Sequence, residues 1–232
     1  MISVIITTIG RSLLGRAIES VKSQTYKDLE IIVVNDNPNF SCLEEGIKLV
    51  NNETNLGGAK SLNIGLKSAK GDYIAILDDD DWWISEDKLE KQVKFLEDNP
   101  EYIAVGTGME GHNSPGELTL VGTPFSHSSI LFRNTGILYS EDLERGKDLD
   151  IMFRLSDDGK IGILKDILVG YTVSNDVKKK IKDCSWHRKV IFIHRKRSKL
   201  WFISYLGVLK RQIRLIYYDR IKNKMFKFDS TL

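Results

Sequence analysis

Residues Gly71–Trp83 read Gly-Asp-Tyr-Ile-Ala-Ile-Leu-Asp-Asp-Asp-Asp-Trp-Trp, an apolar run suited to a buried strand that ends in four carboxylates and two tryptophans. Adjacent like charges repel, and aspartate continues a strand poorly. Something has to compensate Asp78, Asp79, Asp80 and Asp81. A divalent cation with phosphate oxygens does so, because Mg²⁺ and Mn²⁺ favour carboxylate ligands and keep water and phosphate in the rest of their shell. The competing reading is a solvated turn in which Asp81 or Ser85 caps the following helix.

The surrounding pattern places this stretch in an α/β sheet. Ile2–Thr8 is a β-branched apolar run, read as a buried strand. Leu13, Leu14, Ala17, Ile18 and Val21 recur at helical spacing, predicting a helix over Ser12–Gln24. Leu29–Val34 is a second strand, stopped by Asn35-Asp36-Asn37-Pro38. Ile47–Val50 reads as a third strand. Asn55-Leu56-Gly57-Gly58 opens a helix reaching Ala69, and Asp87–Asp98 forms another after the acidic strand end. Strands alternating with helices at this rhythm give βαβ units, a largely parallel sheet and helices on both faces. Ligands of such sheets sit beyond the carboxyl ends of the strands. Thr7-Thr8, Asn35-Asp36 and Asp78–Asp81 all fall on that edge.

Past residue 100 the pattern loosens. Tyr102–Met109 and Ser128–Arg133 read as strands, Gly111–Gly122 as a glycine-rich loop or hairpin, Gly146–Asp150 as a lead into Ile151–Leu155, which continues as a helix, and Ile161–Val173 as one or two strands. Cys42 and Cys184 stand in no metal-ligand spacing and read as thiols in a reducing compartment rather than a disulfide. No secretory leader pattern opens the sequence and no stretch approaches the roughly 20 apolar residues that span a bilayer. The expected location is therefore cytoplasmic.

Charge is divided unevenly. Lys178–Leu232 carries 17 lysines and arginines against three acids, while the preceding 177 residues carry 17 basic and 29 acidic groups. Leu200, Ile203, Leu206, Leu209, Ile213 and Ile216 stand near helical spacing among Lys210, Arg211 and Arg214, with Trp201 and Phe202 at the start. That is the pattern of an interfacial helix on anionic lipid, or of a helix packed on the body with a solvated basic face. No nucleic-acid motif accompanies it, so no nucleic acid is expected as partner.

Taken in order, Ile2–Thr8, Ala17–Tyr26, Leu29–Asp36, Asn55–Ala59, Gly71–Trp83 and Gly146–Leu155 resemble the family 2 glycosyltransferases of GT-A fold over roughly Ile2–Val173. The resemblance implies a mixed, mostly parallel Rossmann-like sheet flanked by helices. Residues 1–100 would bind the nucleotide sugar, 101–175 the acceptor, and 176–232 would form a basic amphipathic helical extension. It further implies that Thr7, Thr8 and Asp36 line the nucleotide pocket, that Asp78 and Asp79 hold ribose and diphosphate, and that Asp80 binds Mn²⁺ or Mg²⁺. Asp148 would be the general base that deprotonates an acceptor hydroxyl, giving inversion. Trp82, Trp83, His127 and Asp150 are acceptor-side candidates, Asp150 alternatively orienting Arg154 at i+4.

Three departures from the family pattern stand out. Leu62 replaces a common arginine, so Lys60 is the candidate to supply the lost diphosphate contact. Lys147 replaces the glutamate before the base and would favour its ionised form. Ser174 stands near a metal-ligand histidine position of some members. The function implied is metal-assisted, inverting transfer of a sugar from a nucleoside-diphosphate donor to a glycan or lipid-linked hydroxyl, peripheral to the cytoplasmic membrane face. The departures motivate the alternative of a non-catalytic nucleotide-sugar- or membrane-binding partner subunit. A sugar-phosphate nucleotidyltransferase would need a longer glycine-rich basic loop than Ile9-Gly10-Arg11-Ser12.

Overall fold

The computed structural model describes residues 1–41, 44–110, 126–143, 145–172 and 177–195, with a few positions between 206 and 216. The anticipated hairpin at Gly111–Gly122, Cys42, Ser174, and Trp201 and Phe202 lie outside the described residues.

Strand β1 (Ile2–Thr8) is followed by α1 (Leu14–Lys22), β2 (Leu29–Asn35), β3 (Lys48–Asn51), α2 (Gly58–Ser68) and β4 (Tyr73–Asp78). Then come β5 (Trp82–Trp83), α3 (Lys88–Asp98), β6 (Tyr102–Met109), β7 (Leu131–Arg133), α4 (Lys147–Leu155), β8 (Lys160–Gly170) and α5 (Val177–Ile193). The described strands form one sheet in the order β3-β2-β1-β4-β7-β6-β8-β5. β3, β2, β1 and β4 are parallel, whereas β7 runs antiparallel to both β4 and β6. This is the mixed, mostly parallel sheet that the sequence pattern implies.

Strand alternation divides the core between two layers. Ile2, Val4, Ile6, Ala75 and Leu77 pack with Leu14, Ala17, Ile18 and Val21 of α1 and Leu89, Val93 and Leu96 of α3. On the opposite face Ile5, Ile74 and Ile76 meet Leu62 and Leu66 of α2 and Ile151, Met152 and Leu155 of α4. Successive side chains of a strand point to opposite faces, so apolar runs such as Ile-Ala-Ile-Leu can serve both layers at once. Leu62, where an arginine was the family expectation, is thus a core residue, 1% exposed.

Two predicted elements take a different form. Ser128–Arg133 begins as a 3₁₀ turn over His127–Ser129, and only Leu131–Arg133 is strand. Ser128 Oγ accepts from the Asp78 amide and donates to Asp81, while Ser129 Oγ donates to the Ser126 carbonyl. Such side-chain bonds compete with a strand ladder. The acidic turn also differs from the helix-cap reading: α3 begins after Asp87 with no side-chain cap, and Asp81 is buried.

The extension opens with α5, which precedes the segment singled out by its periodicity. Cys184, Val190 and Ile191 of α5 form a third apolar cluster with Leu143, Leu149 and Val208. His194, just past α5, donates from Nε2 to Asp150 Oδ1 at 2.7 Å in one tautomer, tying the extension to α4. Among the described residues no helix is long and apolar enough to cross a membrane.

Candidate active site

A cavity of about 580 Å³ opens at the carboxyl ends of β1, β2 and β4. Thr7, Thr8 and Arg11 enter it from the β1 end, Asp36 from the β2 end, Gly58 and Ser61 from α2, and Asp78, Asp79 and Asp80 from the β4 end. Lys147 of α4 and Tyr171 and Thr172 after β8 complete the wall. The three polar strand ends of the sequence therefore converge on one site.

Parallel pairing brings them together. Thr7 registers with Asp78 across β1 and β4, and Thr8 with Asn35 across β1 and β2. Asp36 is 3% exposed and organises the entrance to α2. Its Oδ1 accepts from Asn52 Nδ2 at 2.9 Å and from the Leu56 amide at 2.7 Å, and its Oδ2 accepts from the Gly57 amide at 2.9 Å. Gly57 has φ 85°, a conformation glycine adopts without a Cβ penalty.

The four aspartates have four different environments. Asp79 is buried, accepting from Thr8 Oγ1 at 2.6 Å and from Arg11 Nη1 at 2.5 Å. Asp80 is partly exposed and lies 3.0 Å from the same Arg11 nitrogen. Burial pushes the Asp80 carboxyl up, Arg11 opposes this, and the neighbouring Asp78 and Asp79 charges reinforce it. Asp78 Oδ1 is 3.3 Å from His127 Nδ1. Burial would raise Asp78, but His127, Lys147 and Arg11 outweigh it and bring the carboxyl down to about 2. Asp81 accepts from Ser128 Oγ and, at 3.1 Å, from the Thr172 amide. Burial pushes Asp81 up to about 7 against the Ser128 bond, with the Asp78 and Asp80 charges adding to the rise.

The acceptor-side candidates separate clearly. Asp148 is the second residue of α4, partly exposed, and makes no hydrogen bond or ion pair among the described residues. Gly146, with φ 77°, turns the chain into that helix without a side-chain cap. Asp150 is buried and accepts from Ser140 Oγ at 2.7 Å and Arg154 Nε at 3.0 Å besides His194, so both its oxygens are engaged within the protein. Trp83 is 4% exposed and donates from Nε1 to the Ser128 carbonyl at 2.9 Å, which makes it core. Trp82 lies between the Arg16 guanidinium, 3.6 Å from its ring centre, and Gly170, where a Cβ would come within 2.1 Å of the indole. His127 is buried between Asp78 and the Tyr139 hydroxyl, 2.7 Å from Nε2, and supports the acidic turn. Lys60 is exposed and outside the cavity wall.

Arg11, Ser61, Tyr171 and Thr172 line the cavity without having been candidates in the sequence, and Lys147 stood out there only as a departure beside Asp148. Arg11 had a signal: it is the basic residue three positions beyond β1, on the same edge as the acids.

The profile of glycosyl transferase family 2 matches residues 3–148. EpsE of Bacillus subtilis (strain 168), which carries a glycosyltransferase name, is 31% identical over 92% of this chain and 88% of its own. An uncharacterized glycosyltransferase of Methanocaldococcus jannaschii is 30% identical over 75% and 71% of the two chains. Among solved structures, the mannosyltransferase PcManGT of Pyrobaculum calidifontis, in complex with GDP-Man and Mn²⁺, superposes with a TM-score of 0.74 at 17% identity. That match covers 95% of this chain and 75% of PcManGT. Staphylococcus aureus TarS 1-349 in complex with UDP gives 0.65 at 18% identity, covering 86% and 69%. The sheet is thus of the GT-A type, and the family match takes in the strand ends that line the cavity and reaches Asp148: the chain belongs to glycosyl transferase family 2.

Proposed function

We propose that the protein transfers a sugar from a nucleoside-diphosphate donor to an acceptor hydroxyl in one inverting displacement, with Asp148 as general base. The observation that carries this reading is Asp148 itself: a partly exposed carboxylate with no hydrogen-bond or ion-pair partner among the described residues, next to Lys147 in the cavity wall. A base already committed to hydrogen bonds, as Asp150 is, is poorly placed to take an acceptor proton.

In this reading the base and ribose lie towards Thr7, Thr8 and Asp36, and the diphosphate lies over Asp78–Asp80. An acceptor hydroxyl approaches from the α4 side. Its oxygen bonds to the anomeric carbon as its proton passes to Asp148. The bond from that carbon to the phosphate oxygen breaks, and its electron pair leaves with the nucleoside diphosphate. Arg11, held by Asp79, sets positive charge beside the leaving group. Attack opposite the leaving group inverts the centre, so an α-linked donor gives a β-linked product.

Mn²⁺ or Mg²⁺ fits the donor set. Asp78 and Asp80 each keep one carboxylate oxygen outside the hydrogen bonds and ion pairs of the described residues. No cluster of three metal-binding side chains occurs among those residues. Two such oxygens on carboxylates of the same strand end suit an ion held by one or two carboxylates, with phosphates and water completing its shell. Asp80, with Asp78 beside it, would hold the ion, which when bound would neutralise charge on the departing diphosphate.

The acceptor proposed is a glycan or a lipid-linked saccharide, reached at the cytoplasmic membrane face. Phe192 and Ile193, each 50% exposed, and Leu206, Ile213 and Ile216 support this reading. They put apolar surface within the basic extension, the combination that favours anionic lipid. Val208 and Gln212, packed on α5, support a mixed role in which one side of the extension faces the body.

Asp148→Asn tests the mechanism. Nucleotide affinity is expected to stay within about twofold, while transfer falls by about 10²–10⁴-fold, the usual contribution of a positioned general base. Unchanged transfer would remove Asp148 from that role.

A further inference from the structure

Two cationic side chains, Arg11 and Lys147, enter the cavity wall among the described residues. Arg11 is committed to Asp79 and Asp80. Lys147 makes no hydrogen bond or ion pair among the described residues, although it crosses from α4 to α2. Its Nζ lies 3.4 Å from the point where a Cβ on Gly58 would stand. The ammonium therefore rests against the first turn of α2 while its own backbone opens α4.

The Lys147 ammonium stands between the acidic turn, where it helps lower the Asp78 carboxyl, and the start of α2. Helix N-termini carry partial positive charge and unpaired amide groups, which favour anions. Lys147 adds a full positive charge where two such termini approach. Asp78 offsets part of it through space. An anion entering between Lys147 and the start of α2 would relieve the remainder. The position otherwise expected to supply such a contact is occupied by Leu62, buried against Ile5 and Ile76, and the neighbouring Lys60 is exposed outside the cavity wall.

Building on the donor site proposed above, we infer that Lys147 is the side chain that grips the donor diphosphate, and that it sustains diphosphate binding when divalent ions are absent. The cation is contributed from α4, across the cavity from the start of α2. Because Lys147 and Asp148 are consecutive, the grip also fastens the helix carrying the base to the bound donor.

The test is calorimetric titration of the full chain in EDTA with inorganic pyrophosphate, UDP, GDP, UMP and GMP. Wild type, Lys147→Gln and Lys147→Arg are compared. The expected result is that Lys147→Gln weakens pyrophosphate and the preferred nucleoside diphosphate by about tenfold or more, the scale of one charge-assisted contact. The corresponding monophosphate should change by less than about twofold, and Lys147→Arg should restore most of the loss. Equal affinity of wild type and Lys147→Gln for pyrophosphate overturns the inference, as does an equal loss for mono- and diphosphates, which would mark a structural role. If the diphosphates bind and Lys147→Gln changes nothing, the inference fails and the donor site stands. If pyrophosphate alone binds, with the Lys147 dependence, the anion grip stands and the nucleotide donor reading fails.

Discussion

Thr8 Oγ1 donates a 2.6 Å hydrogen bond to Asp79 Oδ2, stitching the carboxyl end of β1 to that of β4 inside the cavity wall. With Arg11 on the other oxygen, both atoms of the Asp79 carboxylate are engaged. Asp79 is thereby the anchor of the acidic turn, and Asp78 and Asp80 are the members with an oxygen left for ligand. The middle acid of the motif is engaged by the fold, and in the proposed donor site its neighbours face the ligand.

Thr8→Val tests this anchoring. The variant keeps the shape of the side chain but removes the donor, leaving a buried carboxylate oxygen without its partner. A loss of about 1–3 kcal/mol is expected, because an unsatisfied buried acceptor loses its desolvation compensation. At about 2–4 °C per kcal/mol for a chain of this size, calorimetric melting should fall by roughly 2–12 °C. An unchanged melting temperature would contradict the anchoring role.

Lys88 offers a prediction independent of the site. It is fully buried, its amine donating to Gln92 Oε1 at 2.6 Å and lying 4.1 Å from the centre of the Trp83 ring. Burial lowers its pKa well below the ordinary lysine value of 10.5. The unfolded chain therefore binds one more proton than the folded chain between the lowered value and 10.5, so stability rises with pH through that window. The contribution is about 1.4 kcal/mol per pH unit for the single group. Lys88→Met should remove that component of the rise, as denaturant titrations at a series of alkaline pH values would reveal. Identical slopes for wild type and variant would show that Lys88 folds in its charged form.

Membrane association makes a separate prediction. Vesicles containing about 30% anionic lipid should carry the protein upward in a flotation gradient at low salt, and neutral vesicles should not. Raising the salt should release it, because exposed charges are screened beyond about 10 Å at 0.1 M. Replacing exposed Phe192 and Ile193 by serine should weaken flotation while leaving nucleotide affinity unchanged. Equal recovery on neutral and anionic vesicles would contradict the charge-based reading.

The sheet and the place of the cavity were legible because both rest on short-range signals. Apolar runs of strand length marked β1, β2 and β4, and polar residues at their carboxyl ends marked the edge where ligands bind. What escaped was set by contacts distant in sequence. Trp82 and Trp83 stand as acceptor-side candidates by their place after the acidic turn; one packs on Gly170 and the other bonds Ser128, 45 residues away. Asp150 is an acid on a helix in the sequence; its burial depends on His194, 44 residues further on. α5 was missed as a separate element because the buried face it shows to α4 includes Cys184 and a run ending at His194 amid lysines, which gives no clean apolar stripe. Lys147 was visible as a departure from the family pattern, but not its reach to Gly58, which follows from the approach of α4 to α2.

The most direct test of a nucleotide-sugar donor site at this edge is calorimetric titration with UDP, GDP, dTDP and CMP. Each would be run with Mn²⁺ and with EDTA, on wild type and on Asp80→Asn. The account predicts that one nucleoside diphosphate binds wild type, more tightly with Mn²⁺, and that Asp80→Asn loses the Mn²⁺ increment. Failure of every nucleotide to bind wild type under both conditions would contradict it.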